Sequence, residues 1–173
     1  MPVFPLEETS NLSQENSESA LEIFMAMGDI SKYQDKRLLS ALSEIGVNPA
    51  QYSYLYVLCT VGKMNLGELA QRLHVENPTA SVTVKRMESA GLVERHADPC
   101  DSRLVWITAT DWGFSQFRRA KIIVADYISQ VFGGFSEKDA FLLYHLLCRI
   151  RENAKNYIPN FPKGFKLMRE GNV

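Results

Sequence analysis

The stretch LHVENPTASVTVKRMESAGLVERHADPCDSR, residues 73–103, decides how this sequence folds. Its first half carries apolar side chains at helical spacing, and this pattern stops at Gly91. After Gly91 the apolar residues alternate with polar ones, as in a strand, and a polar loop with Pro99 follows. The sequence therefore predicts a helix over about 76–90 that leads directly into a β-hairpin.

A shorter helix is predicted immediately before this one, in the segment NLGELAQRLHV at residues 65–75. Asn65 can cap it, and its apolar residues form one stripe. The turn between the two helices is very short, which is typical of a helix-turn-helix. An apolar helix that starts at Asn48 and Pro49 comes before them. With the hairpin, residues 48–109 are predicted to form a winged helix-turn-helix.

Long amphipathic helices are predicted on both sides of this segment, and we expect residues 17–47 and 110–158 to be dimerisation helices. Their apolar faces are larger than one small lobe can cover. The predicted fold class is therefore mainly α with a small β-hairpin. Residues 1–16 are predicted to be a flexible tail, and residues 159–173 a basic C-terminal tail.

The composition allows a folded domain and gives little sign of catalysis. With 173 residues, 46% of them apolar, the chain can bury a core. We find no Gly-rich phosphate loop, G-x-S-x-G or H-E-x-x-H motif, so no enzyme is expected. The three cysteines are widely spaced and the three histidines are scattered, so neither a disulfide framework, a metal site nor a cofactor is expected.

The N-terminus lacks a secretory pattern and no stretch reaches the ~20 apolar residues of a membrane span. We expect a cytoplasmic protein.

The run from residue 66 to residue 110 resembles the winged helix-turn-helix of the MarR family of bacterial transcriptional regulators. The matching motifs lie in order along the chain: Leu69-Ala70, Pro78-Thr79, Gly91-Leu92-Val93, Asp101-Ser102-Arg103 and Ile107-Thr108. The resemblance implies a homodimer that binds a pseudo-palindromic operator in double-stranded DNA. Family members usually act as repressors that a ligand or oxidation releases.

The predicted recognition helix has a polar and basic outward face, because Ala80, Val84 and Met87 form its buried stripe. We expect DNA contacts from this face and from the wing, at Asn77, Thr79, Ser81, Val82, Lys85, Arg86 and Arg103. Arg103 is expected to enter the minor groove, and Asp101 to support the wing by fixing the arginine through a charge-assisted bond.

Two positions depart from the family pattern, and both lack a positive charge. Val82 and Asn77 stand where family members often have basic residues. Non-specific DNA affinity should therefore be lower than is usual, since it follows the number of phosphates neutralised. The near-neutral charge of residues 63–103 keeps an alternative open, a winged-helix protein-protein interaction module with weak or no DNA binding.

An effector site is a further expectation that follows from the resemblance. We expect a small, apolar or anionic effector to meet Arg37, Tyr52 and Tyr56, although aromatic residues in a buried helix more often pack in a core. Cys100 lies in the wing near arginines and could sense oxidants, but a lone loop cysteine is more often incidental, and nearby aspartates oppose a thiolate.

Overall fold

The computed structural model describes residues 14–101 and 104–157, with side chains from residue 18 onward. The elements in chain order are α1 (Gln14–Ser43), α2 (Pro49–Val61), β1 (Met64–Asn65), α3 (Leu66–Arg72), α4 (Asn77–Ser89), β2 (Val93–Ala97), β3 (Val105–Ala109), α5 (Asp111–Val131) and α6 (Glu137–Lys155). The chain divides into two compact units, with the boundary after Gln130. The first unit contains the helix-turn-helix and the sheet, and the second contains α6.

Three helices, α2, α3 and α6, each have a side chain that caps the first turn. Asn48 begins α2 in a capping box with Gln51, with both hydrogen bonds at 2.9 Å. Asn65 caps α3 with Glu68 in the same way, and Ser136 caps α6 with Asp139. Such boxes satisfy amide groups that the helix itself leaves unpaired. The predicted starts at Asn48 and Asn65 are confirmed.

The sheet contains one more strand than the sequence analysis predicts. The hairpin is confirmed, since β2 and β3 pair antiparallel over five residue pairs from Val93–Ala109 to Ala97–Val105. The added strand is β1, which pairs with the other edge of β3 and gives the order β1-β3-β2. A strand of two residues is too short to show the alternation that identifies strands in a sequence.

The main core lies between α2, α3, α4 and the sheet. The expected stripe of α4 is confirmed, since Ala80, Val84 and Met87 are fully buried. Leu55 of α2 and Leu69 of α3 are fully buried in the same cluster. Burying each such large side chain contributes about 1.5–3 kcal/mol to the stability of the fold. This core holds α4 with its polar face outward.

The helix α1 begins earlier than predicted. Its first residue is Gln14, so the segment expected to be a tail, residues 1–16, already contributes a helical start. Gln and Glu are good helix formers, which is consistent with this earlier start. The predicted basic tail, residues 159–173, lies outside the described residues. Among the described helices, none is long and apolar enough to cross a membrane.

A tight junction joins the end of α4 to the start of α5. The hydroxyl of Thr110 donates to the carbonyl of Gly91 at 2.6 Å and accepts from the amide of Gly113 at 3.0 Å. The amide of Thr110 donates to the carbonyl of Leu92 at 3.1 Å. Gly91 itself has φ +69°, the conformation that glycine adopts readily. Thr110 therefore caps α5 and also connects it to Gly91 and Leu92, between α4 and β2.

Candidate nucleic-acid interface

The outward face of α4 presents most of the residues expected to contact DNA. Asn77, Thr79, Lys85 and Arg86 are exposed, and Ser81 is half-buried. Val82 is 51% exposed, so its isopropyl group faces away from the core, as the helical phase predicts. A helix with its short and basic side chains outward has the chemistry needed to read a major groove.

A shallow depression of about 460 Å³ lies in the middle of this face. Val82, Lys85, Arg86 and Ser89 line it. The hydroxyl of Ser89 donates to the carbonyl of Lys85 at 3.0 Å, so this donor already has a partner within the helix. The lining of the depression therefore combines one apolar side chain with two cations.

The start of α4 has no side-chain cap. Glu76 occupies the N-cap position with extended backbone angles, but it makes no capping hydrogen bond. Pro78 lies in the first turn and has no amide hydrogen, whereas the other first-turn amides are unpaired within the helix. Such a helix start favours an anion, and a DNA phosphate is one.

The turn between α3 and α4 depends on His74. Its φ is +54°, a conformation that is uncommon for any residue other than glycine. The amide of Val75 donates to the carbonyl of Ala70 at 3.0 Å across this turn. The turn can therefore be very short, which sets α4 close behind α3.

In the described part of the wing, Asp98 organises the turn. Its Oδ1 accepts hydrogen bonds from the amides of Cys100 at 2.8 Å and Asp101 at 3.1 Å. Its Oδ2 accepts from Nε1 of Trp106 at 2.7 Å. The bond from Trp106 and the two backbone bonds hold the pKa of Asp98 below its ordinary value. Asp98 is therefore an ionised acceptor at neutral pH.

Arg103 lies outside the described residues, so its expected entry into the minor groove stays a prediction. The same holds for its expected bond with Asp101. The backbone of Asp101 is described: its amide donates to Asp98, and its carbonyl accepts from the amide of Leu104 at 2.9 Å.

Charged pairs surround the end of α4. Arg95 of β2 lies 3.4 Å from a carboxylate oxygen of Glu88, and both side chains are partly exposed. This pair offsets the negative charge that Glu88 would otherwise add beside Lys85 and Arg86. Exposed pairs of this kind contribute little to stability, so the effect is mainly on the local potential.

Sequence reasoning missed three residues of this region, which are Asp98, Trp106 and Lys63. Lys63 Nζ lies 4.9 Å from the centre of the Trp106 ring, and Trp106 donates to Asp98. Asp followed by Pro99 is a common start of a turn, and this signal could have identified Asp98. No local pattern indicates that Lys63 and Trp106 meet.

The residues expected to bind an effector are only partly brought together. Tyr52 is half-buried and stacks on Phe117 with 6.0 Å between ring centres, and Tyr56 meets the same ring edge-on at 6.1 Å. Burial, with a smaller contribution from Tyr56, raises the pKa of Tyr52. Tyr56 is 49% exposed.

Tyr52 also faces a groove between α1, α2 and α5. The groove has a volume of about 390 Å³ and is lined by Gln34, Asp35, Leu38, Leu42, Pro49, Ala50, Tyr52, Ser53 and Val124. Arg37 and Tyr56 are not among these lining residues. The structure therefore supports a cavity at Tyr52 and does not place Arg37 in it.

The cysteines differ in their surroundings. Burial raises the pKa of the Cys59 thiol to about 11, whereas Cys100 is exposed in the wing. Among the described residues there is no group of histidine, cysteine and acidic side chains that could hold a metal ion.

A helix-turn-helix with an outward polar face, followed by a hairpin wing, defines a winged-helix protein of the DNA-binding class. Residues 45–104 match the sequence model of the MarR family. The transcriptional regulator YkoM of Bacillus subtilis (strain 168) is 26% identical over 137 residues, which cover 79% of this chain and 89% of the relative. The transcriptional repressor MdtR of the same organism is 25% identical over 122 residues, which cover 68% and 76%.

Solved structures share the fold. A mutant MarR from E. coli complexed with operator DNA superposes with a TM-score of 0.68 at 21% identity, covering 80% of this chain and 99% of that one. AbsC, a MarR family regulator from Streptomyces coelicolor, gives 0.74 at 20% identity, covering 86% and 100%. The chain is therefore similar to MarR-family regulators in the sequence of its winged helix-turn-helix and has their fold, and the relatives and solved structures compared are transcriptional regulators.

Proposed function

We propose that this protein is a ligand-responsive repressor that binds a pseudo-palindromic operator as a homodimer. The observation that carries the proposal is the outward face of α4, where Val82 lies between Lys85 and Arg86 in one depression. This face has the size and chemistry of a major-groove reader, because phosphates require cations and base edges require short side chains.

The proposed DNA contacts divide by type. Lys85 and Arg86 neutralise phosphates, and Asn77, Thr79 and Ser81 bond phosphate or base edges at the start of α4. Val82 packs on the methyl group of a thymine, the apolar feature of the major groove. Arg103 reads the minor groove with support from Asp101.

Exposed apolar side chains support a homodimer. On α1 they include Leu21, Phe24, Ile30 and Tyr33, which are at least half exposed. On α6 no residue is buried, and Phe141, Leu142 and Tyr144 are each at least 60% exposed. Apolar surface on this scale is normally covered by a partner. A second copy of the chain would cover it and would set two α4 helices about 34–36 Å apart, one turn of DNA.

The repressor role and the ligand response rest on separate observations. The related regulator MdtR is named a repressor. The groove at Tyr52 offers a mostly apolar site, in which Asp35 is the one ionisable group beside the tyrosine. Such a lining disfavours the anionic ligand considered from the sequence. It suits an apolar compound that is neutral or cationic. As a DNA-binding regulator the protein would act in the cytoplasm.

A binding titration against DNA from upstream of its own gene tests the proposal. Labelled duplex is titrated at several salt concentrations, with sedimentation to give the oligomeric state. We expect a dimer whose affinity falls with salt. Lys85→Ala removes one cation from each protomer and should lower the slope of log affinity against log salt by about 2. Lys121→Ala removes the same charge from α5 and should leave the slope unchanged.

If the protein is instead a winged-helix protein-protein interaction module, we expect weak or no binding to the duplex. A monomer at micromolar concentration that retards no duplex at low salt would contradict DNA binding and favour a protein partner. A Lys85→Ala slope equal to that of the parent protein would show that α4 does not face the phosphates.

A further inference from the structure

The described part of the wing turn, Asp98–Asp101, is held by a bracket, which we define as Asp98 and Trp106 with Lys63 over the ring. We call Asp98–Asp101 the wing turn. Asp98 follows β2 directly, and its carboxylate accepts two amide hydrogen bonds from the turn and one from the indole of Trp106. The amide of Asp98 donates to the carbonyl of Leu104 at 2.8 Å. The turn is therefore tied on both sides of its base.

Trp106 connects this turn to the helix-turn-helix lobe. It is the second residue of β3, opposite His96 of β2 and Asn65 of β1. Lys63, just before β1, lies over the ring at 4.9 Å. The indole therefore has the Lys63 ammonium over its face and donates a hydrogen bond from its edge to the Asp98 carboxylate. Through these two contacts, one side chain links the start of β1 with the wing turn.

The bracket is not needed to form the sheet. The β2–β3 ladder has five residue pairs, and Ile107, the next residue after Trp106, is buried in the core. Trp106 itself is only half-buried, and Asp98 is at the surface end of the hairpin. A bracket that adds little to the core can still reduce the number of conformations of the turn before a partner binds.

We propose that Asp98 and Trp106 are positioning residues that hold the wing turn ready for the DNA duplex. The inference rests on the proposed function, because it assumes that the wing meets DNA. A turn that is already ordered loses less conformational entropy on binding, so affinity gains without any further contact with DNA.

The effect of removing the Asp98 carboxylate distinguishes this proposal from one in which Asp98 only adds negative charge to the surface. Removing a carboxylate close to the duplex should strengthen binding if the acid only repels phosphates. If the carboxylate holds the turn, its removal should weaken binding instead. The two explanations predict opposite signs for the same variant.

The experiment measures duplex affinity of the full chain for Trp106→Phe and Asp98→Ala at several salt concentrations. Phenylalanine keeps an aromatic ring for Lys63 and removes the Nε1 donor, although its ring is smaller than the indole. We expect affinity to fall about 5- to 10-fold for each variant, which is the net contribution of one ordinary hydrogen bond. The salt slope should stay that of the parent, because no phosphate contact is lost. Asp126→Asn, a carboxylate on α5, is the matched control and should bind like the parent.

Amide hydrogen exchange of the free protein gives an independent measure. The amides of Cys100 and Asp101 should exchange faster in both variants, whereas the midpoint of thermal unfolding should change little. Parent-like affinity in both variants, or tighter binding by Asp98→Ala, overturns the inference while the proposed function stands. If the parent binds no duplex at all, the proposed function fails and this inference fails with it.

Discussion

Replacing Gly113 with alanine should destabilise the fold through one backbone contact. A Cβ atom on Gly113 would lie 2.0 Å from the carbonyl oxygen of Leu92 and 3.0 Å from its carbon. Both are backbone atoms and cannot rotate away. To restore an ordinary contact, α5 would have to move by about 1 Å from the strand that follows α4. The same Leu92 oxygen accepts from the amide of Thr110 at 3.1 Å, so this movement also strains the cap of α5.

The size of the effect follows from three contributions. Overpacking of this kind costs about 1–3 kcal/mol. Weakening the Thr110 hydrogen bond adds about 1 kcal/mol. Alanine has a better helix propensity than glycine, which returns at most about 1 kcal/mol. We therefore expect Gly113→Ala to lower the free energy of unfolding by about 2 kcal/mol and the thermal midpoint by roughly 4–8 °C.

Urea and thermal denaturation at one fixed protein concentration would measure this, since a dimer's stability depends on concentration. Gly67→Ala is the matched control, because its Cβ would meet only the Asn65 side chain at 3.4 Å. The control should change stability by less than about 0.5 kcal/mol. If Gly113→Ala proves as stable as the parent, the close approach of α5 to Leu92 is refuted.

Three further predictions concern the DNA and the thiols. Arg103→Ala should cost about 1–3 kcal/mol of operator affinity with little change in thermal stability, and unaltered binding at matched salt would show the wing arginine to be unnecessary. Replacing each half-site thymine in turn by deoxyuracil should weaken binding at one position, and Val82→Ala should abolish that sensitivity; if no replacement weakens binding, Val82 takes no part in recognition. At pH 8, alkylation should reach Cys100 well before Cys59, whose pKa of about 11 leaves it protonated until the pH approaches that value, and equal rates followed by mass spectrometry would contradict this.

The parts of the fold that could be predicted are those encoded by neighbours in sequence. Asn48, Asn65 and Ser136 cap helices through residues three positions away, so their roles are visible in the sequence. The buried stripe of α4 follows from helical spacing alone. The strand β1 could not be predicted, because its two residues are defined by their pairing with β3, about forty positions later.

The parts of the site that escaped prediction depend on contacts between distant residues. Lys63 and Trp106 meet only after β1 and β3 pair, and Trp106 then reaches Asp98 across the hairpin. The effector residues show the same limit. Tyr52 and Arg37 both have side chains that can bind an effector. The groove at Tyr52 is nevertheless lined by Asp35 and does not include Arg37. The sequence shows which chemical groups the side chains carry. The direction in which each side chain points is set by the fold and could not be predicted from the sequence.

Under the proposed function, the low positive charge of α4 should give the wing a larger part in DNA binding. Lys85 and Arg86 are the two cations on the reading face of α4, and Val82 contributes no charge there. Since non-specific affinity follows the number of phosphates neutralised, this helix alone should hold DNA weakly and with a shallow salt dependence. A larger share of the binding free energy then has to come from contacts outside α4. Such contacts contribute more when the groups that make them are already ordered before DNA binds, because less conformational entropy is lost. The order that Asp98 imposes on the wing turn reduces this cost, and a dimer reduces it again by presenting both halves together. We therefore expect operator binding to change less with ionic strength than it would for a relative with a more basic recognition helix.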